Sequence, residues 1–429
     1  MNLLVVGGGG REHAIIKKLK ENPKVETIYA LPGNGGIAQD ALCVPEIGAK
    51  DIPAIIEFAK SHEVDFAVVA PDDPLALGCV DRLHEAGIAC FGPDAKSARI
   101  EASKVFSKNL MKQYGIPTAE YQVFCDADAA LAYLKTAKFP IVVKADGLAL
   151  GKGVLIAQSL AEAETAVKIM MQDKAFGEAG REIVIEEFLT GPEVSVLAFT
   201  DGYAIRPMIS SMDHKRAGDN DTGLNTGGMG TVAPNPYYTA EIAQICMDTI
   251  FLPTLAAMRA EGCRFKGCLY FGLMLTPDGP KVIEYNCRFG DPETQVVLPL
   301  LDTDLLEIME ATAAGRLAEV DIRWKPGSAC CVILASGGYP KAYKKGLPIS
   351  GLEENGQLPG EPAEVFHAGT KLESGRYYTN GGRVLGITAT ASSLEEAVSR
   401  AYAAADRISF EGLHRRGDIG ARALSAPKD

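Results

Sequence analysis

Residues 281–295 read KVIEYNCRFGDPETQ, an apolar strand that turns into a run of charged and small residues. Side chains two positions apart in a strand project to the same face, so the Glu284 carboxylate and the Asn286 amide oxygen point together. Hard oxygen ligands suit Mg²⁺, which takes one or two protein oxygens and fills its shell with phosphates and water. The charged exit of this strand is hard to explain by packing, although a surface turn with ion pairs remains the alternative.

The whole chain has the composition of an ordinary globular protein. It contains 429 residues, 47% of them apolar, with 43 Lys and Arg against 55 Asp and Glu, a formal net charge of −12. At about 150 residues per domain, this length predicts about three domains. A sequence-independent nucleic-acid binder needs a basic surface, so we expect no nucleic-acid partner.

Targeting signals are not evident in the sequence. No apolar run approaches the roughly 18 residues of a membrane span, and no basic region precedes the apolar run at the amino end. The ten cysteines are scattered without a C-x-x-C pair and are expected to be reduced. We therefore expect a cytoplasmic protein with no membrane partner.

The first hundred residues alternate between strand-like and helix-like stretches. Continuous apolar runs at residues 3–6, 66–70 and 88–91 alternate with helical patterns such as that at 51–60. Unbroken apolar strands that alternate with helices are typical of parallel sheets buried on both faces. The sequence predicts a doubly wound α/β domain over residues 1–103.

A glycine cluster at residues 7–13, GGGGREH, follows the first strand and opens a helix. Backbone N–H groups at such a helix start form a natural phosphate site. As a dinucleotide fingerprint the cluster is imperfect, because Glu12 stands where the third glycine would fall. A tight turn that packs helix on strand explains the cluster about equally well.

The middle of the chain, residues 104–325, has a different pattern. Strands are predicted at 139–144, 154–157, 182–188, 193–200, 268–275 and 281–286, with helices at about 160–172 and 240–259. Residues 139–144 with 154–157, and 182–188 with 193–200, are predicted to form two hairpin-like pairs. These pairs with a helix between them predict a small α+β lid over about residues 121–190. The polar stretch 210–230 has little periodicity and is predicted to be a flexible loop.

The last hundred residues predict a compact α+β cap domain over residues 326–429. Strand-like runs lie at 329–335, 363–367 and 383–391. Ser393 then begins a helix, with a capping-box match to the glutamate three residues later.

A second glycine-rich segment, residues 146–153, joins two predicted antiparallel strands directly after Lys144. Such a loop can fold over a triphosphate while Lys152 neutralises charge, although it lacks the order of a Walker A loop. A long hairpin turn with a solvated lysine is the alternative from this segment alone.

Taken together, these motifs resemble those of the ATP-grasp superfamily. The order that carries the resemblance is Lys104, Lys144 with its glycine loop, Glu186–Leu189, Glu193, and then Glu284 with Asn286. Within the superfamily, residues 6–14, 144–154, 223–230 and 288–295 closely resemble the glycinamide ribonucleotide synthetase (phosphoribosylamine–glycine ligase) family. The likeness runs nearly end to end, and the RFGDPE run is its most discriminating motif. It implies an ATP-grasp fold with an amino-terminal doubly wound domain and a small carboxy-terminal cap.

The resemblance also implies a reaction. Members of the family ligate glycine to 5-phosphoribosylamine at the expense of ATP, through glycyl phosphate, in the second step of de novo purine synthesis. The implied partners are therefore these small substrates and a divalent metal, Mg²⁺ or Mn²⁺. We expect a monomer, with a transient contact to the enzyme that supplies phosphoribosylamine as a further possibility.

Residue roles carried over from the family fall into three groups. ATP contacts are expected at Lys104, Lys144, Gly151, Lys152, Gly153, Glu186, Glu187, Leu189 and Glu193. The metal is expected at Glu284 and Asn286, and residues 270–274 hold no further carboxylate, so a second metal would depend on phosphates and water. Substrate contacts are weaker hypotheses: Gly9, Gly10 and Arg11 for the ribosylamine phosphate, Arg288 for a carboxylate or phosphate, and Asp291 for an amine. Asp213 and Lys215 lie in a segment for which closure over the phosphates is one interpretation and a solvated loop is the favoured one.

Two other functions are compatible with parts of this motif set. One is another ATP-grasp enzyme, such as a biotin carboxylase subunit or a purine carboxylase subunit, against which residues 288–293 and 7–13 argue. The other is a nucleotide-binding regulatory or oxidoreductase module built on the first glycine cluster. Glu12 and the pair of Glu284 and Asn286 argue against that second rival.

Overall fold

The computed structural model describes residues 1–148, 153–173, 177–360 and 362–427, so the predicted ATP contacts Gly151 and Lys152 lie outside the described residues. The amino-terminal region contains β1 (Asn2–Gly7), α1 (Gly10–Leu19), β2 (Thr27–Pro32), β3 (Leu42–Cys43), α2 (Ile52–Ser61), β4 (Phe66–Val69), α3 (Asp72–Ala76), α4 (Cys79–Glu85), β5 (Ala89–Phe91) and α5 (Ala95–Ala102).

The strands of this region form a parallel sheet in the order β3-β2-β1-β4-β5, which confirms the predicted doubly wound arrangement. Residues 3–6 are fully buried, as expected for a strand covered on both faces. Helix α2 begins where predicted, because the Asp51 carboxylate accepts a hydrogen bond from the Ala54 N–H at 3.2 Å.

The next region corresponds to the predicted lid, and that name is kept for residues 121–187. It follows α6 (Lys104–Gln113) and contains β6 (Tyr121–Phe124), α7 (Ala127–Leu134), β7 (Ile141–Ala145), β8 (Val154–Ala157), α8 (Leu160–Val167) and β9 (Ile183–Glu187). Its sheet has the order β6-β9-β7-β8, with β7 and β8 forming the predicted antiparallel pair. An apolar core separate from the other cores lies under this sheet, so the lid is a packing unit of its own.

The central region begins with β10 (Glu193–Thr200), β11 (Ile205–Pro207), β12 (Met212–Asp213), β13 (Arg216–Gly218), β14 (Thr222–Asn225) and β15 (Gly230–Ala233). It continues with α9 (Ala240–Cys246), α10 (Leu252–Ala260), β16 (Gly267–Thr276), β17 (Gly279–Asn286), α11 (Thr294–Val297) and α12 (Leu305–Ala314). Its main sheet has the order β11-β10-β16-β17. The predicted pairing of β9 with β10 is wrong, because β9 pairs within the lid whereas β10 pairs with β11 and β16.

A single helix runs from α9 through a π-helical turn at Met247–Phe251 into α10, as predicted. Among the described residues it is the helix whose length and mean hydropathy of 1.2 would allow it to cross a membrane. Its side chains Cys246, Ile250 and Phe251 are buried in the apolar core that also contains Phe271 of β16. The helix therefore packs here as a core helix, a kind that passes the same test of length and hydropathy.

Residues 210–230 are not the loop that the sequence predicts. They form β12, β13, β14 and the start of β15, and Ser210, Ser211 and His214 are buried. Their polar groups are bonded internally; for example, Ser211 and Ser195 exchange backbone hydrogen bonds at 2.9 and 3.0 Å. Polar sequence without periodicity was misleading here because hydrogen bonds, rather than an apolar face, fix the segment.

The carboxy-terminal region contains β18 (Ser328–Ala335), β19 (Ala363–His367), β20 (Thr370–Glu373), β21 (Arg376–Thr379), β22 (Arg383–Ala391), α13 (Leu394–Ala405) and α14 (Ala421–Leu424). Ser393 caps α13 as predicted, since its hydroxyl accepts from the Glu396 N–H at 3.2 Å. The sheet has the order β12-β15-β18-β22-β19, so two strands from residues 212–233 complete it. The carboxy-terminal sheet and the central region are thus joined through these strands.

Candidate active site

A cleft of about 1420 Å³ opens where the lid, the central sheet and the carboxy-terminal region meet. It collects most of the residues that the sequence proposed for the site. Those that line it are Arg11, Lys104, Lys144, Gly153, Glu186, Glu187, Leu189, Glu193, Asp213, Lys215, Glu284, Asn286, Arg288 and Asp291. Gly9 and Gly10 are not among the lining residues.

Strand β17 presents Glu284 and Asn286 to the cleft, as its period of two predicts. Burial raises the pKa of Glu284, but the fields of Lys215, Lys144 and Lys104 hold it below its ordinary value, so the carboxylate is charged. The Asn286 amide oxygen accepts from Arg288 at 3.1 Å and keeps a second lone pair. One carboxylate and one amide oxygen on one face are a donor set that fits Mg²⁺ or Mn²⁺.

Lys104 stands at the start of α6, where the lid joins the rest of the chain. Its ammonium donates to the Gly147 carbonyl at 2.8 Å. Nearby, the Asp146 carboxylate accepts from the Val105 N–H at 2.9 Å and from the Ser103 hydroxyl at 3.2 Å. Burial lowers the pKa of Lys104 against the opposing field of Glu284. The beginning of the glycine loop is therefore tied to α6 through both backbone and side-chain contacts.

Lys144 and Glu186 face each other as a buried ion pair between β7 and β9, and a second lysine shares the carboxylate. Lys108 contacts Glu186 Oε2 while Lys144 contacts Glu186 Oε1. Burial would raise the pKa of Glu186, but Lys144 and Lys108 lower it below its ordinary value. Sequence reasoning missed Lys108. The available signal was its position four residues after Lys104, which places both lysines on one face of α6.

The other ATP contacts expected near Glu186 are Glu187, at the end of β9, and Leu189, just after it. Glu187 is exposed at the end of that strand, and Lys281 Nζ lies 3.3 Å from its Oε1. Phe188 is 37% exposed and lines the cleft together with Leu189. An exposed aromatic ring in a cleft offers an apolar surface for a base.

Lys215 lies between two carboxylates rather than in solvent. Its Nζ is 3.4 Å from Glu193 Oε2 and 3.6 Å from Glu284 Oε1. Glu193 is the main cause of a pKa of Lys215 well above its ordinary value. Burial and the nearby Glu293 raise the pKa of Asp213 in turn. The interpretation of residues 213–216 as a solvated loop is therefore wrong, because Asp213 ends β12, Arg216 begins β13 and His214 between them is buried.

Arg288, at the exit of β17, is held by a carboxylate from the amino-terminal region. Its NH2 lies 3.1 Å from Glu101 Oε1, and Glu101 Oε2 accepts the Cys287 N–H at 2.7 Å. The Nε of Arg288 is buried and has no hydrogen-bond partner among the described residues. This N–H is available to an anionic ligand, and Glu101 is a further residue that sequence reasoning missed.

Asp291 is fixed by one group from a distant part of the chain, Arg383, and by one local group, Gln295. Arg383 NH2 lies 3.1 Å from Asp291 Oδ2, and Gln295 Nε2 donates to Asp291 Oδ1 at 2.7 Å. Burial would raise the pKa of Asp291, but chiefly Arg383 lowers it below its ordinary value. Arg383 begins β22, and no local motif could have revealed that it reaches this site.

The first glycine cluster is packed against its own helix. The Gly9 N–H donates to Glu12 Oε2 at 2.6 Å, so a side chain of the protein occupies this helix start. A Cβ on Gly10 would lie 2.7 Å from Gln295 Nε2, which shows how closely α1 approaches the RFGDPE segment. Phosphate binding by Gly9 and Gly10 stays a prediction, and Arg11 is the member of this group that reaches the cleft.

Family models match nearly the whole chain. Models for phosphoribosylglycinamide synthetase match in three parts: the N domain at residues 1–101, the ATP-grasp (A) domain at 102–294 and the C domain at 329–422. The phosphoribosylamine–glycine ligase of Vibrio vulnificus is 49% identical over 427 residues, with 99% of both chains covered. That of Caldanaerobacter subterraneus is 47% identical over 421 residues, covering 98% of this chain and 100% of the relative.

Solved structures give the same grouping. The crystal structure of phosphoribosylamine–glycine ligase from Thermotoga maritima has a TM-score of 0.84 at 35% identity, covering 98% of this chain and 100% of that one. The biotin carboxylase domain of 2-oxoglutarate carboxylase from Hydrogenobacter thermophilus has a TM-score of 0.73 at 18% identity, covering 96% and 91%. The second likeness concerns the fold alone.

Proposed function

The chain belongs to the phosphoribosylglycinamide synthetase family, and we propose that the cleft between the lid and the central sheet is its active site. The protein is an ATP-dependent carbon–nitrogen ligase that joins glycine to 5-phosphoribosylamine, a step of purine biosynthesis. The products are ADP, phosphate and glycinamide ribonucleotide.

One observation carries the assignment of the site. Lys104 and Lys144 line the same cavity as the oxygen donors Glu284 and Asn286, and the charged exit at Arg288 lies beside them. Two cations, a metal-binding pair and a further arginine in one cleft suit a triphosphate with a second anionic substrate.

The chemistry requires positioning more than a protein nucleophile. A carboxylate is a poor acyl donor because its leaving group would be oxide. Transfer of the γ-phosphoryl group of ATP to the glycine carboxylate gives glycyl phosphate and releases ADP. The ribosylamine nitrogen then attacks the carbonyl carbon, phosphate leaves, and the nitrogen loses a proton. Each step depends on aligned reactants and on cations around the phosphoryl oxygens.

Glu284 and Asn286 hold the divalent cation in this proposal, either Mg²⁺ or Mn²⁺. When bound, the cation would neutralise charge on the phosphates and orient them. Within the part of the chain that the structure describes, no three His, Cys, Asp or Glu side chains form a group able to hold a metal ion. The remaining ligands would then be phosphate oxygens and water.

Nucleotide contacts are assigned to the lid and to the segment from Glu186 to Leu189 at the end of β9. Lys104 and Lys144 would reach the phosphates, while the segment from Glu186 to Leu189 would flank the base. Glu193, at the start of β10, would accept hydrogen bonds from the ribose hydroxyls. Its ion pair with Lys215 orients the Glu193 carboxylate in the cleft.

The substrate end is assigned to Arg288, Asp291 and Arg11. Arg288 has a free N–H among the described residues, and Arg11 reaches the same segment by donating to the Phe289 carbonyl at 3.0 Å. Both suit the glycine carboxylate or the ribose phosphate, while the charged Asp291 suits an amine. Asp213 and Lys215 would close the same space from the other side.

We place the protein in the cytoplasm as a monomer that acts on small molecules, with transient contact to the enzyme that supplies phosphoribosylamine. The acidic balance of the chain supports the absence of nucleic acid from this set of partners.

A steady-state assay tests the function. ADP formation should require glycine, phosphoribosylamine and a divalent cation together, and bicarbonate should not replace glycine. Glu284→Gln should lower kcat by about 100-fold or more, since it removes the charged oxygen ligand proposed for the divalent cation. Asp278→Asn, in the exposed turn between β16 and β17, is the matched control and should leave kcat unchanged. ADP release that ignores glycine would contradict the assignment.

A further inference from the structure

Lys108 is a buried cation for which the ligation chemistry gives no role. It lies on α6, is 2% exposed and lines the cleft. Its ammonium donates to the Thr118 hydroxyl at 2.7 Å, and that hydroxyl donates in turn to the Val282 carbonyl at 2.7 Å. Burial lowers the pKa of Lys108 to about 8, so keeping this ammonium charged is costly.

The Glu186 carboxylate is shared between two lysines on opposite oxygens. Lys108 contacts Oε2 and Lys144 contacts Oε1, and all three side chains are nearly fully buried. The cluster therefore holds two positive charges against one negative charge. One lysine is in excess over what Glu186 alone requires.

The two lysines differ in what else they touch. Lys144 donates to the Ile283 carbonyl at 3.2 Å, directly before Glu284, and its field helps to lower the pKa of Glu284. Lys108 contacts Thr118 instead, and its ammonium lies 5.8 Å from the centre of the Tyr121 ring. Lys144 is therefore the lysine that can move from Glu186 to an anion beside β17. Lys108 is instead held by its contact with Thr118.

A buried carboxylate is strongly destabilised when its only cation leaves. We propose that Lys108 is a positioning residue that keeps Glu186 paired while Lys144 turns to the phosphates of the bound nucleotide. Without Lys108, nucleotide binding would strand Glu186 as a lone buried charge. The proposal rests on the proposed function only in taking ATP as the nucleotide of the cleft.

The first experiment measures ADP and ATP affinity by titration calorimetry with Mg²⁺ present, alongside KM and kcat. Lys108→Met should weaken nucleotide binding by about tenfold or more, with KM for ATP rising in parallel and kcat at saturation changing far less. Lys108→Arg should keep the affinity within about threefold, since it retains the charge. Lys112→Met is the matched control, because Lys112 is exposed on the same helix and lies 5.8 Å from the same Tyr121 ring.

The deciding variant is the double substitution Lys108→Met with Glu186→Gln. An amide at position 186 does not hold Lys144, so nucleotide affinity should recover most of what Lys108→Met loses. The reference is Glu186→Gln, because position 186 also borders the base in the proposed site. A double variant that falls as far below Glu186→Gln as Lys108→Met falls below the wild type would overturn the proposal and leave Lys108 a packing role only.

The single variant Glu186→Gln keeps the proposal testable if the Lys108→Met protein does not fold. It should bind nucleotide within about threefold of the double variant, because Lys108→Met costs little once position 186 is uncharged; a loss of about tenfold on adding Lys108→Met to Glu186→Gln would overturn the proposal. Binding is measured without turnover, so a wild type that binds ATP but makes no glycinamide ribonucleotide would contradict the ligase assignment and leave this test intact.

Discussion

Arg288 and Glu101 form an ion pair whose two members come from different regions of the chain. Burial raises the pKa of Glu101 even with Arg288 beside it, so this carboxylate depends on its partner to stay charged. The pair orients the guanidinium and leaves Nε for a ligand. At the scale of the residue, we therefore expect Arg288 to have two separable tasks, the proposed binding of substrate and the neutralisation of Glu101.

Substitution of Arg288 should separate these tasks. Arg288→Ala is expected to raise KM for glycine or phosphoribosylamine, or to depress kcat, by about tenfold or more, while ATP affinity stays nearly unchanged. It should also lower the free energy of unfolding by about 3 kcal/mol, because Glu101 loses its counter-charge. Steady-state kinetics and urea denaturation measure the two effects.

A double variant supplies the control. Arg288→Ala with Glu101→Gln should regain much of the stability, since no buried charge is left alone, but none of the kcat/KM. Loss of ATP affinity alone in Arg288→Ala would contradict the substrate role.

At the scale of the element, the hairpin of β13 and β14 is held in place by the carboxy-terminal region. Arg416 is 1% exposed, and its guanidinium contacts Asp418 at 2.7 Å and Asp221 at 2.8 Å. The Gly417 N–H also donates to Asp219 Oδ1 at 2.7 Å. Asp213 and Lys215 directly precede this hairpin, and Arg416 itself lines the cleft, so Arg416 helps to position this wall of the cleft.

Removal of this clamp should loosen the hairpin. Arg416→Leu removes the charged hydrogen bonds that tie Asp221 and Asp418 together and is expected to cost about 2 kcal/mol locally, with faster amide hydrogen exchange over residues 213–228. Substrate KM should rise because the wall is no longer fixed. Arg415→Leu is the matched neighbour, paired with Asp406 outside the cleft, and should leave that exchange unchanged. Equal exchange in both variants would refute the clamp.

At the scale of the whole molecule, α1 and β19 join the amino-terminal and carboxy-terminal regions through two buried histidines. The His367 N–H donates to His13 Nδ1 at 2.8 Å, and His13 Nε2 lies 3.1 Å from Asp40 Oδ2. A Cβ at Gly36 would lie 2.0 Å from the His367 ring, so glycine is required for this approach. Burial lowers the pKa of both histidines, that of His367 to about 3.

This junction predicts a loss of stability in mild acid. An unfolded histidine takes up a proton below its ordinary pKa of 6.5, whereas folded His367 does not until about pH 3. The unfolded state therefore binds more protons across this window, and stability falls as pH falls. Between pH 6.5 and 4.5, His367 should account for about 2–3 kcal/mol.

Denaturation at several pH values checks this expectation. His367→Gln should show a shallower loss between pH 6.5 and 4.5, while the exposed His84→Gln keeps the wild-type slope. Asp40 does not contribute to the slope between pH 6.5 and 4.5. Its pKa is lowered in the folded state, so its effect on stability is lost only as the pH falls below its ordinary pKa of 3.8. Equal slopes in all three proteins would contradict the role of His367.

The same scale explains how an acidic protein receives anionic substrates. The net charge of −12 describes the whole surface, whereas Lys104, Lys144, Arg288 and Arg383 meet in one cleft. Net charge therefore bears on solubility and general partners, and the local field bears on binding.

The sequence by itself determined the elements and motifs whose signals are local. Continuous apolar runs predicted the parallel amino-terminal sheet, the period of two placed Glu284 and Asn286 on one face of β17, and Ser393 marked the start of α13. The RFGDPE run and its companions indicated the family, because such motifs are contiguous in the chain.

Only the tertiary structure decided which distant charges meet. Arg383 reaches Asp291 across 92 positions, Lys108 shares Glu186 with Lys144, and β12 and β15 complete the carboxy-terminal sheet. The polar segment around these strands was predicted as a loop because its partners lie far away in sequence. The energy of a buried charge or of an edge strand depends on the groups that the folded chain places beside it. The local sequence pattern does not specify those groups, because they are distant in the chain.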